Sequence, residues 1–143
     1  MRGDRRSTVV AVASRARARA EAHAREWEIP HAVGTYQGLL DRDDVSAVYI
    51  PLPNSLHVEW TLKAVEAGKH VLCEKPMAMD PADADRIAAA ATRAGVVVEE
   101  GFMYRHEPLT TRVAQLVADG AVGAVRTIVS GFTYAQSRPN DVR

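Results

Sequence analysis

A glutamate and a lysine that directly follow a short apolar segment are the residues of this sequence best placed to do chemistry. Gly68 precedes the segment His70–Cys73, which has the length and apolar content of a strand, and Glu74, Lys75 and Pro76 come next. In open α/β sheets, ligands bind just outside the carboxyl ends of the parallel strands. A lysine and a glutamate at such an end are expected to act on a ligand. The alternative is an exposed ion pair before a proline-started helix.

The elements that must position these residues alternate between strand and helix patterns. Apolar runs predict strands at Val9–Ala13, Ala47–Ile50, His70–Cys73 and Val96–Glu99, and a longer strand at Val125–Tyr134. Helices are predicted at Arg15–Glu28, Tyr36–Arg42 and Leu56–Ala67, from Asp80-Pro81 to Gly95, and at Glu107–Asp119. Strands that alternate with helices through short loops predict βαβ units and a parallel sheet. The fold class is therefore α/β, with a Rossmann-like doubly wound sheet.

Polar residues at the helix starts predict how three of these helices begin. Ser14 is the expected N-cap of the first helix, Asn54 or Ser55 that of the helix near residue 56, and Asp80 that of the helix that begins with Pro81. Short oxygen-bearing side chains at these positions accept hydrogen bonds from the first free backbone N–H groups.

Composition narrows the class of protein. The 143 residues carry a formal net charge of zero, so nucleic acid and membrane surfaces are not expected partners. The single cysteine, Cys73, lies in an apolar strand, where burial would raise its pKa and make it a poor nucleophile. The sequence has no signal-peptide core and no membrane-spanning run, and no metal site is predicted. A cytoplasmic protein is expected.

The first strand ends in residues that suit a phosphate. Ser14 and Arg15 follow Val9–Ala13, with Arg17 and Arg19 on the next helix. In a Rossmann domain, an acid at the end of the second strand selects NAD, whereas an arginine accommodates the 2′-phosphate of NADP. The usual G-x-G-x-x-G loop does not occur in the sequence. From spacing alone, an N-cap serine and surface arginines remain the alternative.

Four motifs together resemble one known family. They are Val-Ala-Val-Ala-Ser-Arg from Val10, Tyr-Ile-Pro-Leu-Pro-Asn-Ser-Leu-His from Tyr49, Ala-Gly-Lys-His-Val-Leu-Cys-Glu-Lys-Pro from Ala67 and Gly-Phe-Met-Tyr-Arg-His-Glu-Pro from Gly101. In this order they resemble the glucose–fructose oxidoreductase/inositol dehydrogenase (Gfo/Idh/MocA) family of NAD(P)-dependent oxidoreductases. The resemblance extends from about Val9 to the end of the chain.

The resemblance implies a role for each matching position. Cofactor binding falls to Ser14, Arg15, Arg19, Pro51, Leu52, Asn54, His57, Glu74, Lys75, Tyr104 and Arg105. The residues at 14, 15 and 19 would hold the adenosine ribose and its 2′-phosphate, and those from 51 to 57 the ribose and pyrophosphate. Position 74 would contact the nicotinamide ribose, and positions 104 and 105 would approach the nicotinamide. A solvent contact is the alternative for the histidine at 57.

Lys75 is the predicted catalytic residue. The resemblance places it near the reacting carbon, and hydride transfer at an alcohol carbon also requires a proton to move on or off the oxygen. A lysine desolvated beside the cofactor can hydrogen-bond that oxygen and assist the transfer. Lys63 and Lys69 are poorer candidates, because one lies within a predicted helix and the other precedes its strand.

The resemblance also sets expectations for the whole protein. It implies NADP as cofactor, with NAD as the alternative, a sugar, polyol or cyclic diol as substrate, and a homo-oligomer. Residues 1–104 would form a Rossmann domain that lacks its first βα unit, and residues 105–143 the start of a C-terminal α/β domain. An incomplete chain of this kind is expected to be inactive alone. The alternatives are a non-catalytic nucleotide-binding or interaction module and a pseudogene fragment.

Overall fold

Short parallel strands and helices alternate along the first two thirds of the chain. The computed structural model describes residues 6–133, which divide into two units between Gly101 and Phe102. In chain order, the first unit contains β1 (Ala11–Ala13), α1 (Arg17–Glu26), β2 (His31–Val33), α2 (Tyr36–Leu40), β3 (Ala47–Ile50), α3 (His57–Glu66), β4 (His70–Cys73), α4 (Pro81–Ala94) and β5 (Val98–Glu100). The second contains α5 (Pro108–Ala118). The predicted α/β fold class is confirmed.

The strands of the first unit form two parallel sheets. β1 pairs with β2, and β3, β4 and β5 form a three-stranded sheet in that order. In the larger sheet Ile50 lies opposite Cys73, and Cys73 lies opposite Glu100, so all three strands end at one edge. Among residues 6–133, β1 pairs with no strand other than β2.

One face of the larger sheet forms the core. Val48, Ile50, Val71 and Cys73 are all buried, and they belong to one cluster with Ala64 and Val65 of α3. Burial of such aliphatic side chains stabilises the fold by about 1.5–3 kcal/mol each. The alternate residues point to the opposite face, where Tyr49 is 45% exposed and Leu72 is 37% exposed. The period of two in these strands therefore separates a packed face from an accessible one.

Two of the predicted helix caps are wrong. α1 begins at Arg17, its N-cap is Ala16, and the Ser14 hydroxyl instead accepts a hydrogen bond from the Ala16 N–H at 3.3 Å. Serine readily forms such a local turn, which delays the helix. At α3, Asn54 and Ser55 lie inside a 3₁₀ turn, Asn54–Leu56, and no side chain caps the helix. A residue already in a helical turn lacks the extended backbone that a capping side chain needs.

The predicted start and end of α4 are confirmed. Asp80 has an extended backbone, and its carboxylate accepts a hydrogen bond from the Ala82 N–H at 2.7 Å. Pro81 occupies the first turn, where its missing N–H costs nothing. Gly95 ends the helix with φ 67°, a left-handed conformation that residues with a Cβ adopt only at a cost.

β1 begins two residues later than predicted, and β5 is Val98–Glu100 where Val96–Glu99 was predicted. Two further strand assignments differ in whether a strand exists at all. β2 was not predicted, because only three residues lie between Pro30 and Gly34 and so short a run shows no period. The strand predicted at 125–134 is wrong over 125–133, where the backbone has no regular structure, and Tyr134 lies outside the described residues. Ile128 and Val129 are 83% and 91% exposed. A single strand leaves its backbone N–H and C=O groups unpaired, so apolar alternation alone does not produce it.

Burial of Cys73 agrees with its predicted inertness. The side chain at the end of β4 is fully buried, and this burial raises the pKa of its thiol. A neutral buried thiol behaves as a small apolar side chain. Between residues 6 and 133, no helix combines the length and apolarity that a bilayer-spanning segment requires.

Candidate functional site

The carboxyl edge of the three-stranded sheet brings three sequence motifs together. The Glu74 N–H donates a hydrogen bond to the Ile50 carbonyl at 3.1 Å, and the Gly101 N–H donates to the Cys73 carbonyl at 2.7 Å. The segments after β3, β4 and β5 therefore leave the sheet side by side. Because ligands of α/β proteins bind at such an edge, it is the candidate site. We call it the β4 edge, defined by Pro51–Asn54, Glu74–Pro76 and Gly101.

The Glu74 carboxylate is oriented by a tyrosine that the sequence-based prediction missed. The Tyr49 hydroxyl donates a hydrogen bond to Glu74 Oε1 at 2.7 Å. This bond, together with partial burial and the negative charge of Glu74, raises the pKa of Tyr49 to about 12. The signal was present in the strand alternation, which turns Tyr49 away from the core and towards the face that Glu74 shares.

Gly101 allows the strand ends to approach closely. A Cβ atom at this position would lie 3.3 Å from the Cys73 carbonyl oxygen and 3.6 Å from Glu74 Cδ. Any larger side chain would therefore displace the backbone of β4 or the Glu74 carboxylate. The glycine that opens the fourth motif is explained by this contact, and not by a special backbone angle.

Lys75 projects from the β4 edge as an exposed side chain. Its desolvation beside a bound cofactor stays a prediction, since the side chain is exposed among the described residues. Its backbone N–H lies 3.4 Å from Glu74 Oε2, and the Lys75–Pro76 peptide bond is cis. The lysine is placed by backbone contacts and not by burial of its ammonium group.

The two other lysines have structural contacts of their own. Lys63 Nζ lies 2.6 Å from Glu59 Oε1 and 4.3 Å from the centre of the Trp60 ring. Lys69 Nζ donates to the Arg42 carbonyl at 2.8 Å. These contacts account for both side chains without a ligand, so Lys75 is the lysine that a ligand at the β4 edge would meet.

His57 is placed differently from its predicted role. The ring is 0% exposed; Nδ1 lies 2.7 Å from the Pro76 carbonyl oxygen and Nε2 lies 2.6 Å from the Leu52 carbonyl oxygen. Both nitrogens are occupied by the protein, and no face of the ring reaches solvent. Neither a direct cofactor contact nor a solvent contact fits this arrangement, because the ring is fully buried and both nitrogens already have protein partners.

A second carboxylate supports the segment after Lys75. Glu100, the last residue of β5, accepts a hydrogen bond from the Met77 N–H at 2.8 Å. The sequence-based prediction missed this residue, although its position at a strand end next to β4 was a usable signal. In the loop after β3, Pro51 is exposed, and Leu52 and Asn54 are half-buried.

The end of β1 carries the residues predicted to hold a 2′-phosphate. Ser14 is half-buried, and its N–H donates to the Val33 carbonyl of β2 at 3.1 Å. Arg15 and Arg19 are exposed, whereas Arg17 forms an ion pair with Glu21 at 3.0 Å. We call this region the β1 end, defined by Ser14–Arg19. It presents a hydroxyl group and guanidinium groups at the carboxyl end of a parallel strand.

Tyr104 and Arg105 belong to the second unit. They lie in a 3₁₀ turn, Met103–His106, that precedes α5, and both side chains are exposed. Their predicted approach to the nicotinamide stays a prediction. The predicted domain boundary after residue 104 also stays a prediction. The described residues divide into their two units at a nearby position, after Gly101.

The fold and the β4 edge define a dinucleotide-binding class of protein, and comparison with known families agrees. The family model described as "Oxidoreductase family, NAD-binding Rossmann fold" (GFO_IDH_MocA) matches residues 1–102. The chain belongs to this family, which confirms the resemblance drawn from its four motifs.

Particular relatives show which enzymes the chain is similar to. It is 50% identical over 127 residues to the D-xylose 1-dehydrogenase (NADP(+)) 2 of Haloferax volcanii, covering 87% of this chain and 38% of the relative. It is 44% identical over 133 residues to the dTDP-3,4-didehydro-2,6-dideoxy-alpha-D-glucose 3-reductase of Streptomyces violaceoruber, covering 93% of this chain and 39% of the relative.

A solved structure matches the fold as well as the sequence. The structure of KijD10, a 3-ketoreductase from Actinomadura kijaniata in complex with NADP, superposes with a TM-score of 0.77 and 41% identity, covering 85% of this chain and 38% of that one. The chain thus spans about 40% of the length of the curated relatives it matches.

Proposed function

We propose that the protein carrying this chain is an NADP-dependent oxidoreductase that transfers hydride between the nicotinamide and an alcohol or carbonyl carbon of a sugar, polyol or cyclic diol. The observation that carries the proposal is the β4 edge, where Glu74 and Lys75 follow a buried strand and are held by contacts from both neighbouring strands. The chain supplies cofactor-binding residues and the lysine.

The β1 end supports NADP over NAD. No carboxylate follows β1 directly; Ser14 and Arg15 stand there instead. A guanidinium group forms strong charge-assisted hydrogen bonds with phosphate oxygens, whereas an acid at this position would repel a 2′-phosphate. Two of the relatives support the same cofactor, because the xylose dehydrogenase is named for NADP(+) and KijD10 was solved with NADP.

The residues of the β4 edge have separate tasks in this proposal. The nicotinamide, when bound, supplies or accepts the hydride. Glu74, oriented by Tyr49, accepts hydrogen bonds from ribose hydroxyl groups. Lys75 Nζ donates a hydrogen bond to the reacting oxygen of the substrate and moves a proton to or from it. The bound cofactor and substrate would then shield the ammonium group of Lys75 from solvent, to which it is exposed in the described chain.

The substrate class is proposed from the relatives and from the proposed role of Lys75, which requires an oxygen on the reacting carbon. The xylose dehydrogenase and the dTDP-sugar 3-reductase are both named for sugar substrates. In a sugar of either kind, hydride transfer interconverts a hydroxyl-bearing carbon and a carbonyl carbon, either alcohol and ketone or lactol and lactone. One lysine donor can serve either direction, because it only has to hold the oxygen and exchange one proton.

The direct test is hydride transfer by the complete protein. Purified protein is assayed by NADPH absorbance with D-xylose plus NADP⁺ and, separately, with a dTDP-linked 3-keto sugar plus NADPH; NAD⁺ and NADH are the cofactor controls. Turnover that depends on NADP(H) would support the proposal. Turnover with NAD(H) alone would refute the cofactor assignment.

Two further outcomes separate the alternatives. Tight NADPH binding without turnover on any sugar, polyol or diol would favour a non-catalytic nucleotide-binding module. The same turnover assay on the 143-residue chain tests the expectation that this chain is inactive alone. Homo-oligomerisation also stays a prediction, for which the mass of the complete protein in solution is the measurement.

A further inference from the structure

We propose that His57 is a positioning residue that donates hydrogen bonds from both ring nitrogens, to the carbonyl oxygens of Leu52 and Pro76, and thereby sets the position of Lys75 relative to the loop after β3. The two contacts measure 2.6 and 2.7 Å. The hydrogen-bond pattern stands on the geometry alone. Its effect on turnover rests on the proposed function.

The chemistry of the partners determines which atoms donate. A backbone carbonyl oxygen can only accept a hydrogen bond, and the nitrogen lone pair of a neutral imidazole can only accept one as well. A neutral ring would therefore point one lone pair at a carbonyl oxygen at one of these two short distances. Two N–H groups remove that repulsion. The ring consequently carries hydrogen on both nitrogens.

Because His57 is buried, its ring nitrogens depend on protein hydrogen-bond partners. His57 is 0% exposed, so water cannot satisfy a nitrogen that loses its protein partner. The ring also sits at the first residue of α3, where the helix dipole disfavours positive charge. Two bonds to carbonyl oxygens oppose that effect and act at shorter range than the dipole. Loss of either carbonyl group would leave a buried ring N–H without a hydrogen-bond partner.

The two acceptors belong to the two loops of the β4 edge. The Leu52 carbonyl lies in the loop after β3, and the Pro76 carbonyl follows Lys75 directly. Glu100 holds the next residue through the Met77 N–H. The backbone after Lys75 is therefore anchored at two successive residues, whereas the lysine side chain remains exposed. His57 thus links the two loops directly, through one hydrogen bond to each.

The first test counts the ring protons in the unaltered protein. The complete protein is labelled with ¹⁵N-histidine, and the ring nitrogens are recorded in a ¹H–¹⁵N correlation spectrum at neutral pH. We expect one histidine with a slowly exchanging proton on each ring nitrogen, and this signal is absent from the His57→Gln spectrum. A His57 ring with hydrogen on a single nitrogen would overturn the proposal. This test needs no activity, so it is independent of the proposed function.

The second test removes one bond at a time. Asparagine places its amide N–H₂ near the position of Nδ1, and glutamine places its amide near Nε2, so His57→Asn retains the bond to Pro76 and His57→Gln the bond to Leu52. We expect His57→Gln to lower kcat by about tenfold or more, because a small displacement of the lysine is costly. We expect His57→Asn to act chiefly on the KM for NADPH.

The outcomes distinguish positioning from simple stabilisation. The control is His31→Gln, which removes an exposed histidine from β2. If both His57 variants lose thermal stability while kcat and KM stay at the values of the control, the positioning role is wrong. If neither variant folds, the proton count in the unaltered protein still decides. A complete protein with no turnover but two ring protons would refute the proposed function and leave the hydrogen-bond pattern intact.

Discussion

The β4 edge and the β1 end both lie at the carboxyl ends of parallel strands, yet they are built in opposite ways. At the β4 edge, Glu74 and the backbone around Lys75 are held by Tyr49, His57 and Glu100. At the β1 end, exposed arginines follow a half-buried serine. The β4 edge is therefore held in place by the protein itself, whereas the β1 end presents exposed, positively charged side chains.

This difference matches two different physical tasks. A group that moves a proton must lie within hydrogen-bond reach of one atom, so its backbone has to be fixed beforehand. A guanidinium group that recognises a phosphate gains much of its interaction from charge, and a flexible side chain can find the phosphate after binding. Under the proposed function, a misplaced group would lower the rate at the β4 edge but only the cofactor affinity at the β1 end.

The largest effect should come from Lys75. Because it is the proton-transfer group in the proposed mechanism, Lys75→Ala should lower kcat of the complete protein by about 10²–10⁴-fold and leave the Kd for NADPH nearly unchanged. Steady-state kinetics and a fluorescence titration of NADPH measure the two quantities. The matched control is Lys63→Ala, which removes a lysine paired with Glu59 on α3. Normal turnover in Lys75→Ala would remove the residue from the mechanism.

The next effect should come from the β1 end. Loss of a charged phosphate contact in Arg15→Ala should weaken NADPH binding by about ten- to a hundredfold and leave NADH binding unchanged. The control is Arg25→Ala, in the last turn of α1. The difference should shrink at high salt, since the contact is exposed and screened. Equal losses for both nucleotides would mean that this arginine does not read the 2′-phosphate.

A smaller effect should come from Tyr49. The hydrogen bond to Glu74 is partly exposed, so Tyr49→Phe should weaken cofactor binding only by about twofold to fivefold. Because the pKa of Tyr49 is raised to about 12, the neutral phenol is favoured in the folded state. Its contribution to stability is therefore complete below the ordinary tyrosine pKa of about 10 and is lost as the pH rises through about 12.

Tyrosinate absorbance during a pH titration checks the direction of the pKa shift of Tyr49. Tyr49 should ionise above the ordinary tyrosine range, and this late step should be missing in Tyr49→Phe. In Glu74→Gln the step should move to lower pH, because the carboxylate that accepts the hydrogen bond is gone. A late step that persists in Tyr49→Phe would belong to another tyrosine and would contradict the assignment.

The smallest effect lies outside both regions. Asp80 caps α4, and Asp80→Ala should lower the free energy of unfolding by about 1 kcal/mol, measured by urea denaturation, without a change in kcat. Asp85→Ala, in the same helix but away from the cap, is the control and should have a smaller effect. A change in kcat would show that the start of α4 belongs to the functional site.

The sequence alone predicted much of the fold, for local reasons. β3 and β4 were predicted with their observed bounds, because their apolar runs are bounded by proline, glycine and charged residues. The start of α4 at Pro81 was predicted from a cap that depends only on residues two apart. β2 and the 125–134 segment could not be assigned locally, because strand pairing depends on partners that are distant in the chain.

For the candidate site, the sequence determined which residues are available and the tertiary structure decided what they contact. The four motifs identified Glu74 and Lys75 and the family to which the chain belongs. The sequence could not assign His57 to its two carbonyl groups, since these lie 5 and 19 residues away and meet the ring only when the loops pack. Chemistry depends on residue type, which the sequence states directly, whereas position depends on long-range packing, which only the folded chain establishes.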